Sequence, residues 1–304
     1  MSSEIFKSGY IGLIGRTNVG KSTLINKILE KNIVITSGKA QTTRDRINCI
    51  YNTENVQAIF VDCPGFFKPR NLLGEKLNGI IYGVLSDVDI IAVMIDISAG
   101  IGQGDRYVFE QIKNRRKPRY LIFNKVDLCS SAERELIGEK ASGILKEFDF
   151  FEDVITVSAR TGENIESLLS KLFAGLSEGP KYYPDGVITD LPLDKIIAEV
   201  VRENLINNLF EELPHSVNVE VASREKKITS KGEEIEKIEC TIYVEKKSHK
   251  SIIIGNSGSM IKKIGELSRI EIEHILQSKV FLQLWVKVME NWTRKDSYLS
   301  RFGF

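Results

Sequence analysis

The stretch YIGLIGRTNVGKSTLINKILEK, Tyr10 to Lys31, decides the fold. Tyr10–Gly15 is a short apolar run of the kind that forms a buried strand, and a helical pattern follows from Lys21. Between them Gly15, Arg16, Thr17, Asn18, Val19, Gly20, Lys21 and Ser22 match GxxxxGK[ST] without exception. Glycines let backbone N–H groups turn inward around phosphates, and the helix end adds a favourable dipole. Lys21 is placed to neutralise β- and γ-phosphate oxygens, and the Ser22 hydroxyl to hold Mg²⁺. A nucleoside triphosphate site is expected here.

Outward from this loop, short apolar runs alternate with helical patterns. RINCIY and NVQAIFVD read as adjacent strands joined by a tight turn, while DIIAVMIDI (Asp89–Ile97) and RYLIFN (Arg119–Asn124) read as strands buried on both faces. DVITVSA (Asp153–Ala159) is the last strand, followed by a helix over Glu163–Leu176. This predicts an α/β domain with a mostly parallel sheet and helices on both faces. SEGPKYYPDG (Ser177–Gly186), with two prolines and two glycines, reads as the linker. Beyond it the order becomes helix, strand, strand, helix, helix, strand, a smaller α+β domain. The boundaries are drawn at 1–177, 178–190 and 191–304.

Three further segments fall at the ends of the predicted strands. Asp62-Cys63-Pro64-Gly65 can hold a Mg²⁺ shell through water on Asp62 and offer the Gly65 N–H to a γ-phosphate. Asn124-Lys125-Val126-Asp127 can read a base. The Asp127 carboxylate accepts from the ring N–H and exocyclic amine of guanine, a donor pair adenine lacks; the Lys125 stem can lie over the ring. Ser158-Ala159 offers backbone N–H to the guanine carbonyl. Together these motifs predict a GTPase rather than an ATPase. In Gln41-Thr42-Thr43-Arg44-Asp45, between the first helix and second strand, Thr43 is the expected metal ligand of a nucleotide-sensitive switch. The position after Gly65, where a glutamine orients water in Ras-type enzymes, is Phe66. An apolar ring cannot orient water, so slow hydrolysis is expected.

Composition narrows the class. Of 304 residues, 42% are hydrophobic and 27% charged, which suits two globular cores and argues against disorder. No apolar run reaches the length of a membrane span; the most apolar segment, Ile80–Ile97, carries Asp87, Asp89 and Asp96. The start has no export signal, and Cys49, Cys63, Cys129 and Cys240 are far apart, as free thiols in a reducing cytosol would be. Net charge is +1, so nucleic-acid binding must come from a local patch.

Such a patch lies in the second domain. Gly255-Asn256-Ser257-Gly258 joins two helical pieces, and Lys246, Lys247, Lys250, Lys262 and Lys263 surround it without an acid between Lys246 and Lys263. A GxxG loop lets a nucleic-acid backbone approach, while flanking apolar residues such as Ile252, Ile254 and Ile261 form a groove for unpaired bases. Lys226, Lys227 and Lys231 are offset by neighbouring glutamates and read as a solvated hairpin. Trp285, opposite Leu282, Leu284 and Val286 on its strand, is expected to pack. His215, His249 and His274 have no metal-spaced partners.

GRTNVGKSTLINK, KAQTTRDR, VDCPG, NKVD and SAR, then IIIGNSGSMIKKIG and LWVKV, resemble the Era family of bacterial GTPases over essentially the whole chain. The resemblance implies a P-loop GTPase domain followed by a type II KH domain. It implies binding of GTP and GDP, slow Mg²⁺-dependent hydrolysis, and recognition of the 3′ end of 16S ribosomal RNA during maturation of the 30S subunit. A monomer is expected, cytoplasmic and peripherally associated with the inner face of the plasma membrane, with no transmembrane segment. The RNA contacts carry over to Lys250, Ile254, Gly255, Asn256, Ser257, Gly258, Lys262 and Lys263. Relatives sharing the phosphate-loop asparagine and the TTRD switch use potassium, which makes Asn18 a candidate K⁺ ligand. Thr17 and Cys63 depart from the usual proline and threonine, and Cys63 offers a group to thiol reagents. Asn256-Ser257 lacks the lysine of many GxxG loops. The alternative function is a GTP-switched protein-interaction or membrane adaptor that docks through the second domain.

Overall fold

In the computed structural model of the chain, the opening strand β1 (Lys7–Gly15) is central to a six-stranded sheet. The structure describes residues 5–31, 33, 34, 36, 42–69, 71–209, 213, 216–228 and 232–304. Gln41, His215 and Lys231 lie outside them. Two compact units divide the chain: Met1–Thr36, Thr43–Arg70 and Gly74–Asp190 form one, while Ser37–Thr42, Asn71–Leu73 and Leu191–Phe304 form the other.

In the first unit β2 (Ile47–Asn52) and β3 (Val56–Asp62) form an antiparallel hairpin. β4 (Ile90–Asp96), β5 (Arg119–Asn124) and β6 (Asp153–Thr156) join in parallel, giving the order β2-β3-β1-β4-β5-β6. Six successive residues of β4 are buried, so both faces of the sheet are covered. The helices are α1 (Lys21–Leu29), α2 (Leu72–Asp87), α3 (Gln103–Ile112), α4 (Ser131–Glu135), α5 (Ile137–Glu147) and α6 (Ile165–Ala174). Ile14, Val84, Ile91, Val93, Phe109 and Phe123 meet in one core, each contributing about 1.5–3 kcal/mol by burial. Parallel order puts the C-terminal ends of β1, β3, β4 and β5 along one edge, where ligands bind in such sheets.

The stretch expected to link the domains is held along this sheet. Gln57, fully buried on β3, accepts the Tyr182 and Tyr183 N–H groups at 2.7 and 2.9 Å and donates to the Tyr183 carbonyl at 2.8 Å. Ile50 N–H reaches the Ile188 carbonyl at 3.0 Å, and Asn48 Nδ2 meets Asp190 Oδ2 at 2.7 Å. A short strap thus lies against β2, the outermost strand.

The second unit contains α7 (Leu193–Asn208), β7 (Asn218–Ile228), β8 (Glu234–Val244), α8 (Lys247–Ile254), α9 (Ser259–Leu276) and β9 (Val280–Val288). β7 and β8 are antiparallel and β9 joins β8 in parallel at the edge. Ile197, Val201, Ile242, Ile253, Ile264 and Val286 form its core. A last helix, α10 (Asp296–Arg301), has no counterpart in the sequence reading. Trp292 is fully buried beside it and donates to the Ser216 carbonyl at 3.0 Å. Trp285 corrects the expectation of packing: it is 54% exposed. The core takes the Val286 side of β9, so strand alternation turns Trp285 to the open face. No helix among the described residues is long and apolar enough to cross a membrane.

Candidate functional site

The first unit gathers its motifs at the C-terminal edge of the sheet. Gly20 ends the phosphate loop with φ 101°, and a Cβ there would stand 2.4 Å from Asn124 Nδ2, so both conformation and space demand glycine. Lys21 is buried and its Nζ donates to the Arg16 carbonyl at 3.0 Å. Burial pushes its ammonium below the ordinary value, opposed by the nearby Cys63 and Asp62. Asn18 is exposed with φ 64° and Val19 is buried.

Three oxygens converge next to Lys21. Ser22 Oγ lies 2.8 Å from Asp62 Oδ2 and 3.1 Å from Thr43 Oγ1, and Thr43 Oγ1 lies 3.2 Å from the same carboxylate oxygen. Asp62 is fully buried, and its Oδ1 has no hydrogen-bond partner of normal geometry among the described residues. Burial raises its carboxyl above the ordinary range, against the pull of Lys21 and the Ser22 and Thr43 hydroxyls. A buried acid with an idle oxygen and two converging hydroxyls suits a hard cation such as Mg²⁺. The sequence-predicted metal residues Ser22, Thr43 and Asp62 are therefore together.

Pro64 and Gly65 are buried against the phosphate loop; a Cβ on Gly65 would approach Thr17 N to 2.5 Å. Phe66 donates its N–H to the Gly15 carbonyl at 2.9 Å, and its ring packs edge-on to Tyr82 and Tyr107 at 5.8 and 5.9 Å. It presents no polar group to a water. Cys63 corrects the thiol expectation. Its side chain is fully buried with Sγ 3.5 Å from the Leu13 carbonyl, and burial pushes the thiol up to about 12, so no thiolate is offered.

Asn124 ties the base end to the phosphate end. Its Nδ2 donates to the Val19 carbonyl at 2.8 Å and its Oδ1 accepts the Ala159 N–H at 2.9 Å. Val126 is buried, and Asp127 Oδ1 accepts the Ser158 hydroxyl at 2.6 Å while the same hydroxyl takes the Thr161 N–H. Ser158 thus braces Asp127 with its side chain, a part the motif reading did not give it.

Two acids were missed altogether. Asp105 is buried, meets Arg16 Nε at 2.7 Å and caps α3 by accepting the Gly102 N–H at 2.9 Å. Asp96 meets Lys125 Nζ at 2.6 Å. Both partners come from distant sequence, so no local spacing could reveal them.

In the second unit α8 ends at Ile254 and α9 begins after Gly258. Gly255, Ser257 and Gly258 have φ of 73°, 51° and 83°. Ile253 is in the core, Ile252 is exposed, and Lys250, Ile254 and Ile261 are half-buried. Asn256, Lys262 and Lys263 are exposed; Lys262 is only loosely paired with Glu266 at 4.0 Å. Lys226 and Lys227 pair with Glu234 and Glu225, as a solvated hairpin should. His249 Nδ1 lies 3.3 Å from Ser216 Oγ.

This geometry has known counterparts. The 50S ribosome-binding GTPase family matches residues 10–125 and the KH domain family residues 212–293. GTPase Era of Caldanaerobacter subterraneus subsp. tengcongensis is 45% identical, with 98% of each chain covered. GTPase Era of Alkaliphilus metalliredigens is 42% identical over 98% of this chain and 99% of its own. A crystal structure of Era with MgGDPNP and nucleotides 1506–1542 of 16S ribosomal RNA superposes with TM-score 0.93 at 35% identity, covering 98% of this chain and 99% of that one. A point variant of Aquifex aeolicus Era bound to GDP and AlF4⁻ gives TM-score 0.91 at 35% identity, with the same coverage.

Proposed function

The chain belongs to the Era family of GTPases, and on that premise we propose that it binds the 3′ region of 16S ribosomal RNA and promotes maturation of the 30S subunit, with the bound nucleotide setting its grip. Its enzymatic activity is hydrolysis of GTP to GDP and phosphate with Mg²⁺. The nucleotide half of the reading is carried by the Asn124 side chain, which joins the phosphate loop, the base motif and the Ala159 loop in one cradle, and the RNA half by the solved relative that holds a 16S segment.

In this reading Gly15–Ser22 wrap the phosphates, Lys21 neutralises the β and γ oxygens, and the Gly65 N–H faces the γ-phosphate. Ser22 and Thr43 would hold Mg²⁺ directly and Asp62 through water; bound there, the ion neutralises charge building on the phosphate oxygens. Asp127 and the Ala159 N–H read guanine while Lys125 underlies it. Hydrolysis is slow because Phe66 is fastened between two tyrosines and orients no water. Asn18 would hold K⁺, which would add positive charge beside the phosphates, so turnover in K⁺ should exceed that in Na⁺.

The RNA backbone is assigned to Gly255–Gly258 with Lys250, Lys262 and Lys263, and its bases to the groove at Ile254. Residues 1–177 are assigned to the enzyme, 178–190 to the connection and 191–304 to RNA. A cytoplasmic protein that touches the inner face of the plasma membrane completes the reading; cell fractionation checks it. The deciding experiment is filter binding of an RNA matching nucleotides 1506–1542, the segment held by the solved relative. Retention is expected to be stronger with a GTP analogue than with GDP. No retention at low salt with either nucleotide would sink the RNA reading and leave the adaptor.

A further inference from the structure

The ends of β4 and β5 hold an ion pair between a lysine of the base motif and an acid that belongs to no motif. Asp96 is the last residue of β4 and stands directly beside Asn124 in the parallel register of the two strands. Lys125 follows Asn124, so the register itself delivers the lysine to the aspartate. Lys125 Nζ donates to Asp96 Oδ2 at 2.6 Å, with the side chains 30% and 15% exposed. The other carboxylate oxygen is already committed. Oδ1 accepts the Ser98 N–H at 3.1 Å, the Ser98 hydroxyl at 2.6 Å and the Ala99 N–H at 3.4 Å. These bonds cap the 3-10 turn Ile97–Ala99 and fix the carboxylate in place. Burial pushes the Asp96 carboxyl up, but the Lys125 and Ser98 bonds outweigh it and hold it below its ordinary value.

We propose that Asp96 is a positioning residue for purine binding: it anchors the Lys125 ammonium so that the aliphatic stem stands ready as a platform for the base. The proposal rests on the assignment of Asn124–Asp127 to guanine made above. A free lysine has four rotatable bonds, and ordering them on binding costs affinity. The anchored lysine has already lost that freedom. Its backbone is fixed as well, in the left-handed region at φ 67°. An alkyl stem touches the face of a ring and not its edge. Its contribution is therefore the same for guanine, hypoxanthine and xanthine, whereas Asp127 reads the edge and separates them.

Asp96→Asn tests this, because the amide can keep its oxygen on the 97–99 cap while the position facing Lys125 loses both its charge and its acceptor, becoming an N–H group. Binding of GDP, IDP and XDP should weaken alike, by about tenfold, the size of one lost charge-assisted bond. KM for GTP should rise by the same factor with kcat at saturation unchanged, since the phosphate contacts are untouched. In a Lys125→Met background, which keeps an apolar stem without the ammonium, adding Asp96→Asn should change affinity by less than about twofold. An equal loss in both backgrounds would place Asp96 in the turn alone and overturn the proposal. So would unchanged affinity in the single variant, or a shifted GDP-to-IDP ratio. Asp127→Asn, measured alongside, isolates the premise. It should cost about a hundredfold in GDP affinity and move preference toward XDP. Failure of that shift condemns the base-site assignment itself, whatever Asp96 does.

Discussion

Two loops cornered by glycine introduce helices in this molecule, and they are built in opposite ways. Gly20 sets the N-terminus of α1 at φ 101° with a neighbouring amide 2.4 Å from where a Cβ would be. Gly258 sets the N-terminus of α9 at φ 83°, and a Cβ there would meet nothing within 4 Å. Only the entering glycine of the second loop is confined, with Met260 2.8 Å from a Cβ on Gly255. The phosphate loop is braced by Asn124, Phe66 and Asp105, which suits a ligand of one fixed shape. The GxxG loop is braced where it leaves α8 and open where it enters α9, which suits a backbone that continues past it.

The largest effect is expected at Lys21. Lys21→Ala should lower kcat for phosphate release by a factor on the order of 10²–10³, the loss typical of one charge-stabilising donor. Far-UV circular dichroism should persist, and RNA retention should fall no lower than that of the GDP-bound parent. Turnover close to that of the parent would refute the braced cradle.

A smaller effect is expected at the open loop. Gly258→Asp puts a negative charge where a phosphate should approach, and space is available for it, so the fold should survive at the cost of about 1–2 kcal/mol of left-handed strain. RNA affinity should fall by about tenfold or more while GTP turnover without RNA stays level. Lys262→Ala with Lys263→Ala should reduce the salt slope by up to about 1.4, from roughly 0.7 per contact on a single strand. An unchanged slope would make both lysines solvated surface.

The smallest effect concerns His249, in the first turn of α8, the helix that leads into the same loop. Burial and then Lys246 hold its pKa below the ordinary 6.5, with Glu245 opposing. The folded ring therefore takes up a proton less readily than the unfolded one. Its stability contribution is complete above about pH 6.5 and shrinks as pH falls toward the folded value. RNA affinity should stay level from pH 8 to 6.5, and thermal unfolding of the full chain should drift slightly downward only below that. A rise in RNA affinity over the upper range would show that His249 charges early and joins the lysine patch.

What the sequence disclosed follows the same division. The cradle could be read because its chemistry is written in contiguous residues, Gly15–Ser22 and Asn124–Asp127, each ending a strand. Asp96 and Asp105 could not be read, because their partners are set by strand register and by the placement of α3. Trp285 was misjudged for a related reason. Alternation shows that it opposes Leu284, but only the packing of the core on the Val286 side of β9 shows that its own face is open. The C-terminal helix escaped because α10 has only six residues, too few for a period to emerge.

The strap along β2 bears on where this protein can be cut. β2 is the outermost strand of its sheet, and Ile188 and Thr189 occupy part of its free edge. A fragment ended at residue 177 would uncover those peptide groups and strand the buried Gln57 Oε1, whose donors at Tyr182 and Tyr183 would be gone, leaving only Nε2 bonded, to Asn52. Copies of such a fragment present matching bare edges to one another and are set to aggregate strand upon strand. A fragment ended at residue 190 carries its own edge guard.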